Sequence, residues 1–186
     1  MQIAHEDPAM MDKFKRAYEA GKVAETFVPP PNWAEIIRKE KIEEMRKNNP
    51  ASAELADRLD IDIDIEKELA ADQRWYDWNV KNWGTKWDFP NTQSMEMIDK
   101  NRATASFDTA WSPPIKVFEA LVEQGYSVRV LYSEEGMGFG GIWYNGVDEF
   151  YNNPEDFPEE LLETFGIELL DEEEEEGKEE GKGDVK

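Results

Sequence analysis

The sequence predicts an α+β protein in which a helical region comes first and an antiparallel sheet follows. Three observations carry this reading. Apolar residues recur at three- and four-residue spacing over 8–21 and 33–47, the period of an amphipathic helix. From Asn91 onward the pattern shifts to short alternating segments bounded by turn residues. Asn145-Gly146, between Phe139–Tyr144 and Val147–Tyr151, is the strongest hairpin signal in the chain, because both turn positions must accept positive φ.

The elements follow in order. Pro8 suits a first helical turn, Met11, Phe14, Ala17 and Tyr18 share a face, and Gly21 is a stop. "TFVPPPNW" (26–33) reads as an extended linker, since its three prolines remove donors from both helix and ladder. Asn32 can cap a second helix from Trp33 to Lys47, closed by "NNP" (48–50), and a third runs from Ala51 to Leu59. "DIDIDIE" is either a short strand or the lead-in to a helix capped by Asp64, which would run from Ile65 to Val80. Thr92–Ile98 and Ala103–Ala110 are candidate strands. "SPP" (112–114) starts a helix with an Ile115, Phe118, Leu121, Val122 stripe that ends at Gly125. Strands over Tyr126–Ser133, Phe139–Tyr144 and Val147–Tyr151 and a helix over Glu155–Phe165 complete the set.

The order β-β-α-β-β-β-α fits a sheet with helices on one face, and a ferredoxin-like arrangement is the leading topology. Residues 1–62 form the N-terminal helical region, 63–170 the ferredoxin-like domain, and the low-complexity acidic tail 171–186 is expected to be disordered.

Composition excludes several chemistries. With no cysteine there is no disulfide and no thiolate metal site, and the lone His5, near an N-terminus expected to fray, rules out a multi-histidine centre within one chain. No apolar run approaches the roughly 20 residues of a membrane span. "MQIAHEDPAM" has neither the basic nor the apolar region of a signal peptide, so a soluble cytoplasmic protein is expected. The net charge is −22. Nine of the 43 acids and three of the 21 bases lie in the tail, which leaves 34 acids and 18 bases, or −16, on residues 1–170. A body this negative disfavours direct contact with nucleic-acid phosphates and favours proteins with basic surfaces.

Two motifs invite sharper readings. "WYDWNVKNWGTKWD" (75–88) brings together Trp75, Trp78, Trp83 and Trp87, and Trp111 lies before Pro113. A base-stacking platform needs a basic groove, yet only Arg74, Lys81 and Lys86 are local, so a packed structural cluster of these five rings is expected. "EEGMGFGG" (134–141) lacks the following helix and lysine of a phosphate cradle and reads as a hairpin or bulge between strands. The acids at 60, 62 and 64 fail a calcium loop, with Ile65 for its glycine and Ala71 for its glutamate. Asp108 with Glu134 and Glu135 is the one carboxylate set to weigh for metal-dependent hydrolysis, although adjacent strand residues point to opposite faces.

The strings "NWGTKWD", "FDTAWSPP" (107–114) and "EEGMGFGG", in this order over roughly residues 70–152, resemble the YubB-like family of phages and conjugative plasmids, whose C-terminal part is ferredoxin-like. The resemblance implies a mobile-element origin and a fold, and no mechanism. The expected function is a non-enzymatic accessory protein that binds a host or phage protein with a basic surface, in one version inhibiting a nucleic-acid-binding defence system by charge mimicry. The candidate partner-binding residues are Glu134, Glu135, Asp148, Glu149, Asp156, Glu159 and Glu160. No catalytic residue, metal ligand or cofactor is assigned. The alternatives are a metal-dependent hydrolase using the carboxylates and a single-strand binder using the tryptophans.

Overall fold

The computed structural model describes residues 1–49, 51, 65–90 and 93–169. The expected helix over Ala51–Leu59, the "DIDIDIE" alternation up to Asp64 and the acidic tail lie outside the described residues, apart from Ala51. The strands take the order β2-β3-β1-β4-β5-β6 in one sheet. They are β1 (Gln2–Ala4), β2 (Met95–Asp99), β3 (Arg102–Ala105), β4 (Ser127–Glu134), β5 (Phe139–Tyr144) and β6 (Val147–Tyr151). The pairings β1–β3, β2–β3, β4–β5 and β5–β6 are antiparallel. The first four strands, with helical crossovers after β1 and β3, give the ferredoxin-like order, and β5 and β6 extend it as a meander. The α+β expectation therefore holds.

The chain divides into two compact units, Met1–Val128 and Arg129–Lys186. The first opens with a strand that the sequence reading missed. Ile3 pairs with Ala103 and is 2% exposed. His5 is not frayed: its backbone N–H donates to Asn101 (3.0 Å), its Nε2 lies 3.2 Å from the Gln124 carbonyl, and its ring meets Tyr126 edge-on at 4.7 Å. Three residues are too few to show a strand period.

Helix α1 (Pro8–Glu19) is capped by Asp7, whose carboxylate accepts from Ala9 at 2.9 Å. It buries the expected Met11, Phe14, Ala17 and Tyr18. The chain reverses at Gly21 (φ +66°) into α2 (Val23–Phe27), a short helix missing from the sequence reading, whose last two residues fall in the expected linker. Its Val23, Ala24 and Phe27 are all buried, with Phe27 meeting Tyr126 edge-on at 5.5 Å. Helix α3 (Trp33–Asn48) starts as expected, with Asn32 Oδ1 accepting from Glu35 at 3.1 Å.

The expected single helix 65–80 is two, α4 (Ile65–Ala71) and α5 (Arg74–Trp83). Asp72 causes the break: its carboxylate accepts the Arg74 backbone N–H at 2.8 Å, a local turn that competes with the helical ladder. Helix α6 (Ile115–Glu123) buries Val117, Phe118 and Leu121. Phe89 stacks on Phe107 at 4.2 Å and meets Phe118 edge-on at 6.3 Å, which ties the loops before β2 and after β3 to that helix. The second candidate strand stops at Ala105, five residues short of its expected end.

The second unit holds most of β4, the β5–β6 hairpin, a 3-10 turn (Pro154–Asp156) and α7 (Glu159–Phe165). Asn145 (φ +45°) and Gly146 (φ +98°) make the expected two-residue turn with positive φ at both positions. The expected helix 155–165 is split at Phe157-Pro158, where Phe157 turns inward and is buried. No described helix is long and apolar enough to cross a membrane.

Candidate functional site

The tryptophan string does not form one buried cluster. Trp83 is the buried member, 5% exposed, and its indole N–H donates to the Val28 carbonyl at 2.8 Å. Trp78 packs edge-on against it at 5.8 Å, and Trp75 packs edge-on against Tyr76 at 6.0 Å, both half-buried. Trp87 and Trp111 are 47% and 65% exposed, so the packing expected of these two is corrected. Helical spacing places Trp75, Trp78 and Trp83 on α5, whereas Trp87 and Trp111 ride on loops, where periodicity carries no information about burial.

Those loops are held together. Gly84 ends α5 at φ +85°. The Ser112 hydroxyl donates to the Gly84 carbonyl (2.8 Å), and the Ala110 N–H donates to the buried Thr85 hydroxyl (3.1 Å). Trp111, between those two anchors, adopts φ +64°, a region that bulky side chains rarely enter. Lys86 places its ammonium 5.5 Å from the Trp87 ring and 5.8 Å from that of Tyr76. The last residue of the string has a separate role. Asp88 accepts from the N–H groups of Ala24 and Glu25, both at 2.7 Å, and caps α2, whose own Lys22 supplies no cap. Burial raises the Asp88 pKa, opposed in part by these N–H donors.

In the second unit the candidate acids fall into two kinds. Some are engaged. Glu134 closes the β4–β5 turn by accepting from Gly136 (3.2 Å) and Met137 (2.5 Å). Asp148 accepts from the Tyr132 phenol at 2.7 Å, and burial followed by this bond raises the phenol's pKa. Glu160 holds Arg129 through two bonds of 2.7 and 2.5 Å, which lower the Glu160 pKa and raise that of Arg129. Glu135, Glu149, Asp156 and Glu159 are exposed.

"EEGMGFGG" is indeed a turn between strands, but its glycines divide. Gly138 takes the turn at φ +68°, while Gly140 and Gly141 lie inside β5. A Cβ at Gly140 would lie 2.7 Å from Phe157 Cζ, and one at Gly141 would lie 2.5 Å from Tyr132 Cζ and 2.6 Å from the Glu149 carbonyl oxygen. Neither ring position was legible in the sequence; a glycine pair within a β-rich strand was the available signal.

The hydrolase set is not assembled within either unit. Asp108, in the first, accepts from the Gln93 amide at 2.9 Å, and Glu134 in the second is turned to its own loop. Among the described residues no group of three or more His, Asp or Glu side chains is placed to hold a metal ion.

No curated protein and no solved structure matches the chain. A family model described as the ferredoxin-like domain in Api92-like protein matches residues 82–180, or 99 of the 186. That span takes in the turn after α5, the β2–β3 hairpin, α6 and the whole meander. The strand order and this match agree, and the chain belongs to the family of the ferredoxin-like domain in Api92-like protein.

Proposed function

We propose that the protein acts by binding a protein partner with a basic surface and catalyses no reaction itself. The supporting observation is the segregation of charge. Residues 129–169 contain ten acids and one base, whereas residues 1–128 contain 24 acids and 17 bases. The single base of residues 129–169, Arg129, is held by Glu160, and the other nine carboxylates of that stretch have no cation within it. Exposed Tyr144, Val147 and Phe150 lie among these acids and supply apolar contact area. Such a surface steers basic partners by long-range attraction.

In its finer form the partner is a nucleic-acid-binding protein, such as a component of a host defence system, whose phosphate-binding surface the acids occupy. The resemblance to phage and plasmid proteins supports that form. A pull-down from bacterial lysate at 50 and 500 mM salt tests it. Capture of basic nucleic-acid binders that weakens at high salt, and is lost on charge reversal at Glu149, Asp156 and Glu159, is expected. Capture indifferent to both salt and charge reversal rejects the proposal.

Exposed Trp87 and Trp111, with Lys86 beside Trp87, favour one second reading, base stacking by a single-stranded nucleic acid. Absence of tryptophan quenching by single-stranded DNA at low salt rejects it.

A further inference from the structure

We infer that the groove between α1 and α2 binds a compact oxyanion, either free phosphate or the phosphate of a small monoester. The groove has a volume of about 340 Å³ and is lined by Lys13, Arg16 and Ala17 of α1, by Ala20 just past its end, and by Lys22 and Thr26. Three of its lining side chains are cationic and none is acidic, in a chain of net charge −22.

The local sequence builds this concavity. Positions 13, 16, 17 and 20 share one face of a helix. Alanines at 17 and 20 leave open the space that larger side chains would fill. The Gly21 reversal, closed by the Lys22 N–H donating to the Ala17 carbonyl at 2.8 Å, returns the chain so that Lys22 and Thr26 line the same groove.

The three cations are held differently. Lys13 lies over the Phe27 ring, 4.6 Å from its centroid, and Lys22 lies 3.2 Å from Glu25. Among the described residues Arg16 has no ion pair and no side-chain hydrogen bond. Its planar guanidinium offers the paired donors that match phosphate oxygens, and the Thr26 hydroxyl adds a neutral donor. Like charges sharing a concavity repel, and a bound oxyanion relieves that repulsion. A compact anion inside the groove meets these cations at close range, while an extended polyanion also meets the field of the acidic body.

The test is thermal unfolding of the full chain in inorganic phosphate and in glycerol 3-phosphate, each against sodium chloride of matched ionic strength. Salt alone stabilises so acidic a protein, so the matched control is required. An increment over chloride of about 3–6 °C is expected at a ligand concentration tenfold above half-saturation. Arg16→Gln should abolish the increment, and Lys100→Gln, away from the groove, should preserve it. Phosphorus NMR line-broadening that disappears with Arg16→Gln provides a second readout. Binding of either ligand that depends on Arg16 supports the site. An increment no greater than that from chloride, or one unchanged in Arg16→Gln, overturns it.

Discussion

The Tyr132 phenol lies over the backbone of Gly141 and donates to Asp148 at 2.7 Å. Tyr132 pairs with Gly141 across β4 and β5, so the bare glycine is what lets the ring lie flat and reach the third strand. A methyl group there must displace either the ring or the Glu149 carbonyl. Gly141→Ala is therefore expected to lose about 2–3 kcal/mol of stability. Urea denaturation measures this, and a midpoint equal to that of the wild type would contradict the packing described. Tyr132→Phe, which keeps the ring and removes the bond to a charged acceptor, should lose about 1.5–3 kcal/mol.

Asp88 predicts a helix-capping effect at a distance of more than 60 residues in sequence. Asp88→Ala removes the acceptor for the Ala24 and Glu25 N–H groups. A loss of about 1–2 kcal/mol is expected, with Asp88→Asn intermediate because it retains one acceptor. Faster hydrogen exchange at Ala24 and Glu25 in Asp88→Ala would locate the effect; unchanged exchange there would refute the cap.

Trp111 and Trp83 should respond oppositely to substitution. Trp111 is in solvent at positive φ, so Trp111→Gly relieves backbone strain and is expected to hold or raise stability, by up to about 1 kcal/mol. Trp83→Ala empties a buried site and leaves the Val28 carbonyl without its indole partner, for a loss of about 3–5 kcal/mol. Thermal melts of the two variants compare them directly. Acrylamide should quench Trp87 and Trp111 and spare Trp83 and Trp143.

Alkaline pH provides a fourth prediction. Tyr126 is 3% exposed, its hydroxyl donates to the Met10 carbonyl at 2.6 Å, and burial, with the charge of Asp7 adding, pushes its pKa up to about 12. Between pH 10 and 12 the unfolded chain releases this proton while the native one keeps it. Stability therefore falls as pH rises through that window. In Tyr126→Phe the fall should be shallower, as read from urea midpoints at pH 9, 10 and 11. An identical slope in the two proteins would remove Tyr126 from the account.

Where the fold was readable, local chemistry decided it. The α1 stripe, the Asn32 cap, the β5 and β6 limits and the Asn145-Gly146 turn each follow from periodicity or from a residue's own conformational range. What the sequence concealed depends on distant partners. β1 is three residues whose partner, β3, lies far along the chain, and α2 is a single turn made stable by buried faces and the remote Asp88. The tryptophans show the same division. On α5 their spacing reports burial, and on loops it does not. The carboxylates of the second unit were visible as composition, but that Glu134, Asp148 and Glu160 have intramolecular partners is a property of the folded chain alone.

The pairing of Gln2 with Thr104 also bears on how the molecule is made. Roughly a hundred residues separate the two strands, so the gap must close before β1 contributes anything, a large entropic step that slows folding. On a ribosome adding about 5–20 residues per second, β1 emerges before β3 and waits on the order of 5–20 s for it. During that interval its buried Ile3 has no place to dock. A strand needed near the middle of the sheet is thus made roughly a hundred residues ahead of the neighbour it pairs with.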